Sequence, residues 1–219
     1  MHVKICGLST LDDALAAVDA GADYLGFNFW TKSPRYVTRD ACAAIQAELR
    51  RRGAAVTTVG VFVNTPPAEV AAVMEACGLD LAQLHGDEQP EQLSPLWGKA
   101  FKAVRDPAVI SNAELEALAV FSPREPTFLV DAPAPGLYGG SGQLADWQAA
   151  ASLAARYPIF LAGGLNPTNV SAAVARVKPW GVDVASGVES APGQKDHAKI
   201  RAFVEAARAH GSTPQDATE

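Results

Sequence analysis

Along the chain, short apolar runs rich in β-branched residues alternate with stretches whose apolar positions recur at helical spacing, each pair filling about 25 to 30 residues. That alternation is the rhythm of a parallel sheet built from βα units. Strand-like runs cover residues 2–6, 24–29, 56–63, 81–84, 100–104, 127–131, 159–162 and 182–185. Helix starts are marked by Ser9-Thr10 before Leu11, Thr38 before Arg39, Thr65 before Pro66-Pro67, Ser111 before Asn112 and Asn166 before Pro167. A last helix is expected from near residue 196 to about 210. Eight strands, each followed by a helix, predict an α/β fold, a single (β/α)8 TIM barrel over residues 1–210. An open doubly wound sheet is the other arrangement with this rhythm. Residues 211–219 are polar, carry no apolar face and are expected to be disordered.

The chain of 219 residues, 48% hydrophobic and 19% charged, suffices to bury a full core as one domain. Its 18 Lys and Arg against 24 Asp and Glu leave a formal net charge of −6, which repels phosphate backbones. The densest basic run, Arg50-Arg51-Arg52, closes a helix, where cations suit the negative end of the dipole, so nucleic acid is not expected as a partner. The first residues read as a strand rather than a leader, and no apolar run reaches the length of a membrane span. A cytoplasmic protein with no membrane partner follows as the expectation, as a monomer or a homodimer. The three cysteines, Cys6, Cys42 and Cys77, are far apart and form no C-x-x-C pair, so neither a disulfide framework nor a metal site is expected.

Barrel enzymes carry their chemistry at the C-terminal ends of the strands, which turns position within each βα unit into a test of every candidate. Cys6 closes the first strand before Gly7, whereas Cys42 and Cys77 fall within amphipathic helices and read as core. Asp131 closes the sixth strand after Phe128-Leu129-Val130, where desolvation favours the protonated, proton-donating form of a carboxyl; capping of the following loop is the structural alternative. Glycine-bearing segments follow strands six, seven and eight: Gly139-Gly140-Ser141-Gly142, Gly163-Gly164-Leu165-Asn166-Pro167 and Ser186-Gly187-Val188-Glu189. Loops after strands seven and eight are the usual barrel phosphate site, and glycines there let backbone N–H groups approach an anion, so a phosphorylated small-molecule substrate is implied. Arg35, in the loop after the second strand, offers a fork that can clamp a carboxylate, and His85 ends the fourth strand as a polar pocket residue. The segment from Gly140 to Ala145 fits a dinucleotide fingerprint by letter only, because its glycines come about nine residues after the strand instead of at its end. Ser141 lacks the second glycine of an esterase elbow, since Gln143 stands in its place.

Taken in order, Lys4-Ile5-Cys6-Gly7, Ser33-Pro34-Arg35-Tyr36, Gln83-Leu84-His85-Gly86, Gly139 to Gly142, Gly163 to Pro167 and Asp183 to Glu189 resemble the phosphoribosylanthranilate isomerase family over almost the whole chain. The resemblance implies a cofactor-free Amadori rearrangement in tryptophan biosynthesis. It implies Cys6 as the base that removes the sugar C2 proton and Asp131 as the acid that opens the ribose ring. It further implies that Arg35 holds the anthranilate carboxylate and the glycine loops hold phosphate. One departure from the family pattern is Val130 before the acid, which leaves Asp131 itself in place. Other sugar-phosphate barrels of the histidine and indole branches share the phosphate loops, though not a use for Cys6, and a binding barrel without turnover would have no need of Cys6 and Asp131.

A free thiol is only a few per cent ionised at neutral pH, so a basic Cys6 calls for a nearby cation. Strand alternation puts Lys4 on the same face as Cys6, inside the barrel, where a buried ammonium requires a carboxylate. Closure makes the first and eighth strands neighbours, and Asp183 is the expected partner, with capping of a turn as its structural alternative.

Overall fold

A computed structural model describes residues 1–132 and 145–209. Gly139, Gly140, Ser141 and Gly142, and the expected disordered tail 211–219, lie outside the described residues. Eight parallel strands, β1 (His2–Cys6), β2 (Tyr24–Asn28), β3 (Thr57–Phe62), β4 (Leu81–Leu84), β5 (Ala100–Val104), β6 (Phe128–Val130), β7 (Ile159–Leu161) and β8 (Gly181–Val184), close into a barrel in sequence order. The closing register pairs Lys4 with Asp183 and Ile5 with Val184. The sheet is therefore the closed barrel, not the open doubly wound alternative.

Period-two alternation divides every strand between two cores. Inward residues Val59, Phe101, Ala103, Leu129, Phe160 and Ala162 fill the barrel, with Tyr24, Leu81 and Trp180 packed against them. At the N-terminal end His2 stacks on Trp180 with ring centroids 4.1 Å apart, and Tyr24 and Phe160 meet edge to face at 5.1 Å. Outward residues such as Val3, Ile5, Leu25, Phe27, Val182 and Val184 join the larger core beneath the helices. The result is a wall buried on both faces, as parallel strands require.

The helices are α1 (Leu11–Asp19), α2 (Arg39–Arg51), α3 (Pro67–Cys77), α4 (Asn112–Phe121), α5 (Trp147–Ala154), α6 (Val170–Val177) and α7 (His197–Arg208). Thr10, Thr38, Ser111, Asp146 and Asp196 each accept backbone N–H bonds at a helix start, which fixes where the chain turns back toward the sheet. Two expected starts shift: Pro66 takes the cap position instead of Thr65, and α6 begins beyond Asn166, whose Oδ1 instead accepts from Thr168 N at 2.8 Å in a side-chain turn.

The expected eighth helix is absent among the described residues. Between β4 and β5 the chain makes two single 3₁₀ turns, Pro90–Gln92 and Ser94–Leu96. Pro95 supplies no N–H and its ring would collide with the carbonyl four residues back, so a continuous helix cannot form there. Lys102 substitutes a staple: its ammonium donates to Gly86 O at 2.5 Å and Glu88 Oε2 at 2.9 Å, while Glu88 Oε1 accepts from Asn64 N at 2.8 Å. This loop directly follows His85. After β8, a small antiparallel hairpin of β9 (Glu189–Ala191) and β10 (Gln194–Lys195), turning at Pro192-Gly193, adds an element the hydrophobic pattern does not reveal.

Candidate active site

The C-terminal mouth of the barrel encloses a cavity of about 340 Å³ lined by groups from nearly every strand end. Cys6, Arg35, His85, Asp131, Gly163, Gly164, Asp183 and Ser186 all line it, as do Asn28, Trp30, Lys32 and Gln83. Gly187 lies just behind, pressed so closely on Leu165 O that any β-carbon would overlap it. The loops after β7 and β8 are thereby locked to each other, and Gly163 and Gly164 adopt φ of +82° and +64°, a region other residues rarely enter.

Lys4 is wholly buried and lies below Cys6 on the inner face, its ammonium 2.7 Å from Asp183 Oδ1. Burial disfavours its charge, yet Asp183 and Cys6 together hold the Lys4 pKa above the ordinary lysine value. For Cys6, burial pushes the thiol up, Lys4 and Lys195 pull it down, Asp183 opposes them, and burial prevails. The expected pair therefore exists and sets a cation beside Cys6, with burial outweighing its pull on the thiol. Gly26 on β2 makes room for both, since a β-carbon there would sit 2.8 Å from Cys6 Sγ and 3.1 Å from Lys4 Nζ.

Arg35 crosses the end of β1 over Gly7, where a β-carbon would meet its side chain at 2.5 Å. Its fork is not idle: Nε donates to Glu189 Oε1 at 2.7 Å and Nη2 to Glu189 Oε2 at 2.8 Å. Two of its five N–H donors are thus spoken for, and a ligand meets a guanidinium already fixed in orientation. Lys195, with its side chain fully buried, reaches Glu189 Oε1 at 2.9 Å and Ala185 O at 2.9 Å. Burial would raise the Glu189 carboxyl, but bonds from Arg35 and Lys195 hold it below the usual carboxylate range. Burial also lowers Lys195 against the attraction of Glu189.

Asp131 sits one residue past β6. Its Oδ1 accepts from Ala132 N at 2.8 Å, and Oδ2 lies 3.2 Å from His85 Nε2. The loop-capping reading is therefore visible on one oxygen, while the other faces His85. His85 Nδ1 is 2.8 Å from Gln83 Nε2, so two alternate residues at the end of β4 line the cavity side by side.

Glu189, Lys195, Gln83 and Gly26 are the members of this constellation that sequence reasoning did not single out. Gly26 had a readable signal, a glycine inside a strand, which marks close approach of other atoms. Glu189 and Arg35 are 154 residues apart and no local pattern joins them. Among the described residues no three His, Cys, Asp or Glu side chains are grouped to hold a metal ion, and no helix is long and apolar enough to cross a membrane.

A closed eight-stranded barrel with ionisable groups and glycine loops gathered at its C-terminal mouth defines the class, a (β/α)8-barrel enzyme. Residues 3–206 match the family model described as N-(5'phosphoribosyl)anthranilate (PRA) isomerase. Relatives from Pelobacter propionicus and Geobacter sulfurreducens, both named N-(5'-phosphoribosyl)anthranilate isomerase, are 46% and 47% identical over 208 residues, covering 95% of this chain and 96% and 98% of theirs. Among solved structures, phosphoribosyl anthranilate isomerase from Thermus thermophilus matches with a TM-score of 0.81 at 37% identity, over 96% of this chain and 100% of that one. A phosphoribosyl anthranilate isomerase in complex with reduced 1-(o-carboxyphenylamino)-1-deoxyribulose 5-phosphate matches with a TM-score of 0.76 at 36% identity, over 95% and 99% of the two chains. The chain belongs to the N-(5'-phosphoribosyl)anthranilate isomerase family, isomerases of tryptophan biosynthesis.

Proposed function

We propose that this enzyme converts N-(5-phosphoribosyl)anthranilate to 1-(2-carboxyphenylamino)-1-deoxyribulose 5-phosphate, with Asp131 as general acid and Cys6 as general base. The observation that carries the reading is the convergence of these two groups, from β1 and the end of β6, on one cavity that also holds Arg35 and the paired glycine loops. Opening a glycosylamine and moving a hydrogen from C2 to C1 needs one acid and one base facing a bound ring. Asp131 Oδ1 is occupied by a donor, which leaves Oδ2 as the oxygen from which a proton is passed in this scheme. Donation of that proton to the ring oxygen breaks the C1–O bond and leaves an iminium. The thiolate form of Cys6 then takes the C2 proton, and the electron pair of that bond forms the enaminol. Return of the Cys6 proton to C1 and passage of the C2 hydroxyl proton, through solvent, to the Asp131 carboxylate give the ketone and restore both groups, with no net gain or loss of protons.

Lys4 supports this scheme from beneath the thiol, because a fixed cation stabilises the thiolate more as the apolar ring of the substrate displaces water. Arg35, held by Glu189, uses its remaining donors on the anthranilate carboxylate, with His85 as a further polar contact on the cavity wall. Backbone N–H groups around Gly163, Gly164, Ser186 and Gly187 take the phosphate, and Lys32 adds positive charge at the rim.

The test is to generate phosphoribosylanthranilate in situ and follow the loss of its fluorescence. Wild-type protein is expected to accelerate that loss, and Cys6→Ala and Asp131→Asn each to abolish it while still binding the reduced product analogue. Near-wild-type turnover in either variant would remove the assigned roles.

A further inference from the structure

Gln83 and His85 stand on the inner face of the wall at the end of β4, exposed by only 1% and 5%. Both line the cavity, and each keeps a buried polar atom without a hydrogen-bond partner: Gln83 Oε1 and His85 Nε2. Buried polar groups in folded proteins are nearly always paired, so two orphans side by side on a cavity wall indicate work done with a ligand present. His85 Nε2 already lies 3.2 Å from Asp131 Oδ2, without the alignment of a formed bond, whereas Gln83 Nε2 is firmly placed 2.8 Å from His85 Nδ1.

We propose that Gln83 is a positioning residue that fixes the tautomer of His85, so that Gln83, His85 and Asp131 form a chain of donors aimed at the substrate ring oxygen. The proposal rests on the reading of Asp131 as the acid. An amide N–H at Nδ1 makes that nitrogen an acceptor, which in a neutral imidazole leaves the proton on Nε2. Nε2–H then faces Oδ2. While Asp131 is protonated, Oδ2 accepts from Nε2–H through a lone pair and its own hydrogen points into the cavity. When that hydrogen moves to the ring oxygen, the carboxylate left behind meets an aligned N–H from His85 on one oxygen and Ala132 N–H on the other. The bond therefore strengthens as charge develops, which favours the transition state over the bound substrate. The opposite amide orientation would put the proton on Nδ1 and a bare Nε2 against Oδ2. That arrangement is tolerated only with the Asp131 hydrogen turned toward His85 and away from the substrate.

The decisive measurements are the ring ¹⁵N shifts of His85 in the intact wild-type enzyme and the kinetics of Gln83→Met, an apolar variant of similar length. The wild-type ring should carry its proton on Nε2; a proton on Nδ1 overturns the proposal without recourse to any variant. In Gln83→Met the proton should redistribute toward Nδ1, and kcat should fall about 10- to 100-fold with KM changed less than about threefold. A variant with wild-type kcat beside an inert Asp131→Asn would remove the chain and leave the acid in place, whereas an active Asp131→Asn would remove both. A loss confined to KM would make Gln83 a substrate contact and equally overturn its positioning role.

Discussion

At the scale of single residues, the site is governed by which charges are already answered inside the protein. Arg35 is paired through two parallel bonds with Glu189, whose second claimant is Lys195. A carboxylate fixed in this way orients a cation that would otherwise sample many rotamers. Glu189→Gln retains the shape but loses the charge and one acceptor, so KM is expected to rise about tenfold, with a smaller effect on kcat, in steady-state kinetics. An unchanged KM would mean that Arg35 does not contact substrate. The thiol of Cys6 makes a second residue-scale prediction. Burial raises its pKa above the ordinary value despite Lys4, so at neutral pH it rests protonated and the base form grows as the pH is raised. The sign is definite: kcat/KM should climb from about pH 6 toward about pH 9 before any alkaline decline, and a profile that falls through this range would contradict Cys6 as the base.

At the scale of elements, the strands place chemistry with a tolerance of a few tenths of an ångström. Gly26 of β2 faces Cys6 and Lys4, and a methyl group there would stand 2.8 Å from the sulfur. Gly26→Ala should displace the thiol and lower turnover about 100-fold, while overpacking costs only about 1–3 kcal/mol of stability, measured by activity and denaturant unfolding of the same sample. Loss of stability without loss of turnover would show that the thiol position is not critical. The contrast between strands and connections also explains what the sequence reveals. Strand positions and most helix starts are legible because buried parallel strands are continuous apolar runs and because caps such as Thr38 and Asp196 act on N–H groups two or three residues away. The absent helix between β4 and β5 was hidden by an otherwise regular rhythm, although Pro90 and Pro95 carried the information. The hairpin of β9 and β10 is too short to show alternation. The pairing of Lys4 with Asp183 was legible across 179 residues because barrel closure dictates it, whereas Arg35 and Glu189 meet through loops that no periodicity constrains.

At the scale of the whole molecule, the Lys4–Asp183 pair closes the barrel at the seam between β8 and β1, and it does so where an apolar pair would serve the fold as well. Breaking one half should be expensive: Asp183→Asn leaves a buried ammonium unanswered and is expected to lose about 3–5 kcal/mol. Replacing both halves, as in Lys4→Met with Asp183→Leu, removes the desolvation penalty along with the attraction and should return stability to within about 1 kcal/mol of wild type. Turnover, however, should remain lost, because the thiol then has no cation beneath it. A stable and fully active double variant would show that the pair serves the seam and not the base. Lys4, together with the three buried thiols, also makes stability depend on pH on the alkaline side. Cys6, Cys42 and Cys77 are all raised above the unfolded thiol value of 9.0, and Lys4 is raised above 10.5. For groups shifted upward the stabilisation is complete below the unfolded value and is lost as the pH rises through the folded one. Unfolding free energy should therefore hold steady at neutral pH and begin to fall above about pH 9 as the unfolded thiols ionise first, with a further loss from Lys4 above about pH 10.5. In Asp183→Asn the Lys4 contribution to that fall should shrink, because the larger of the two attractions that hold its pKa up is removed and only that of Cys6 remains. Equilibrium denaturation of wild type and variant across this range measures the difference, and parallel curves would contradict the role assigned to the seam.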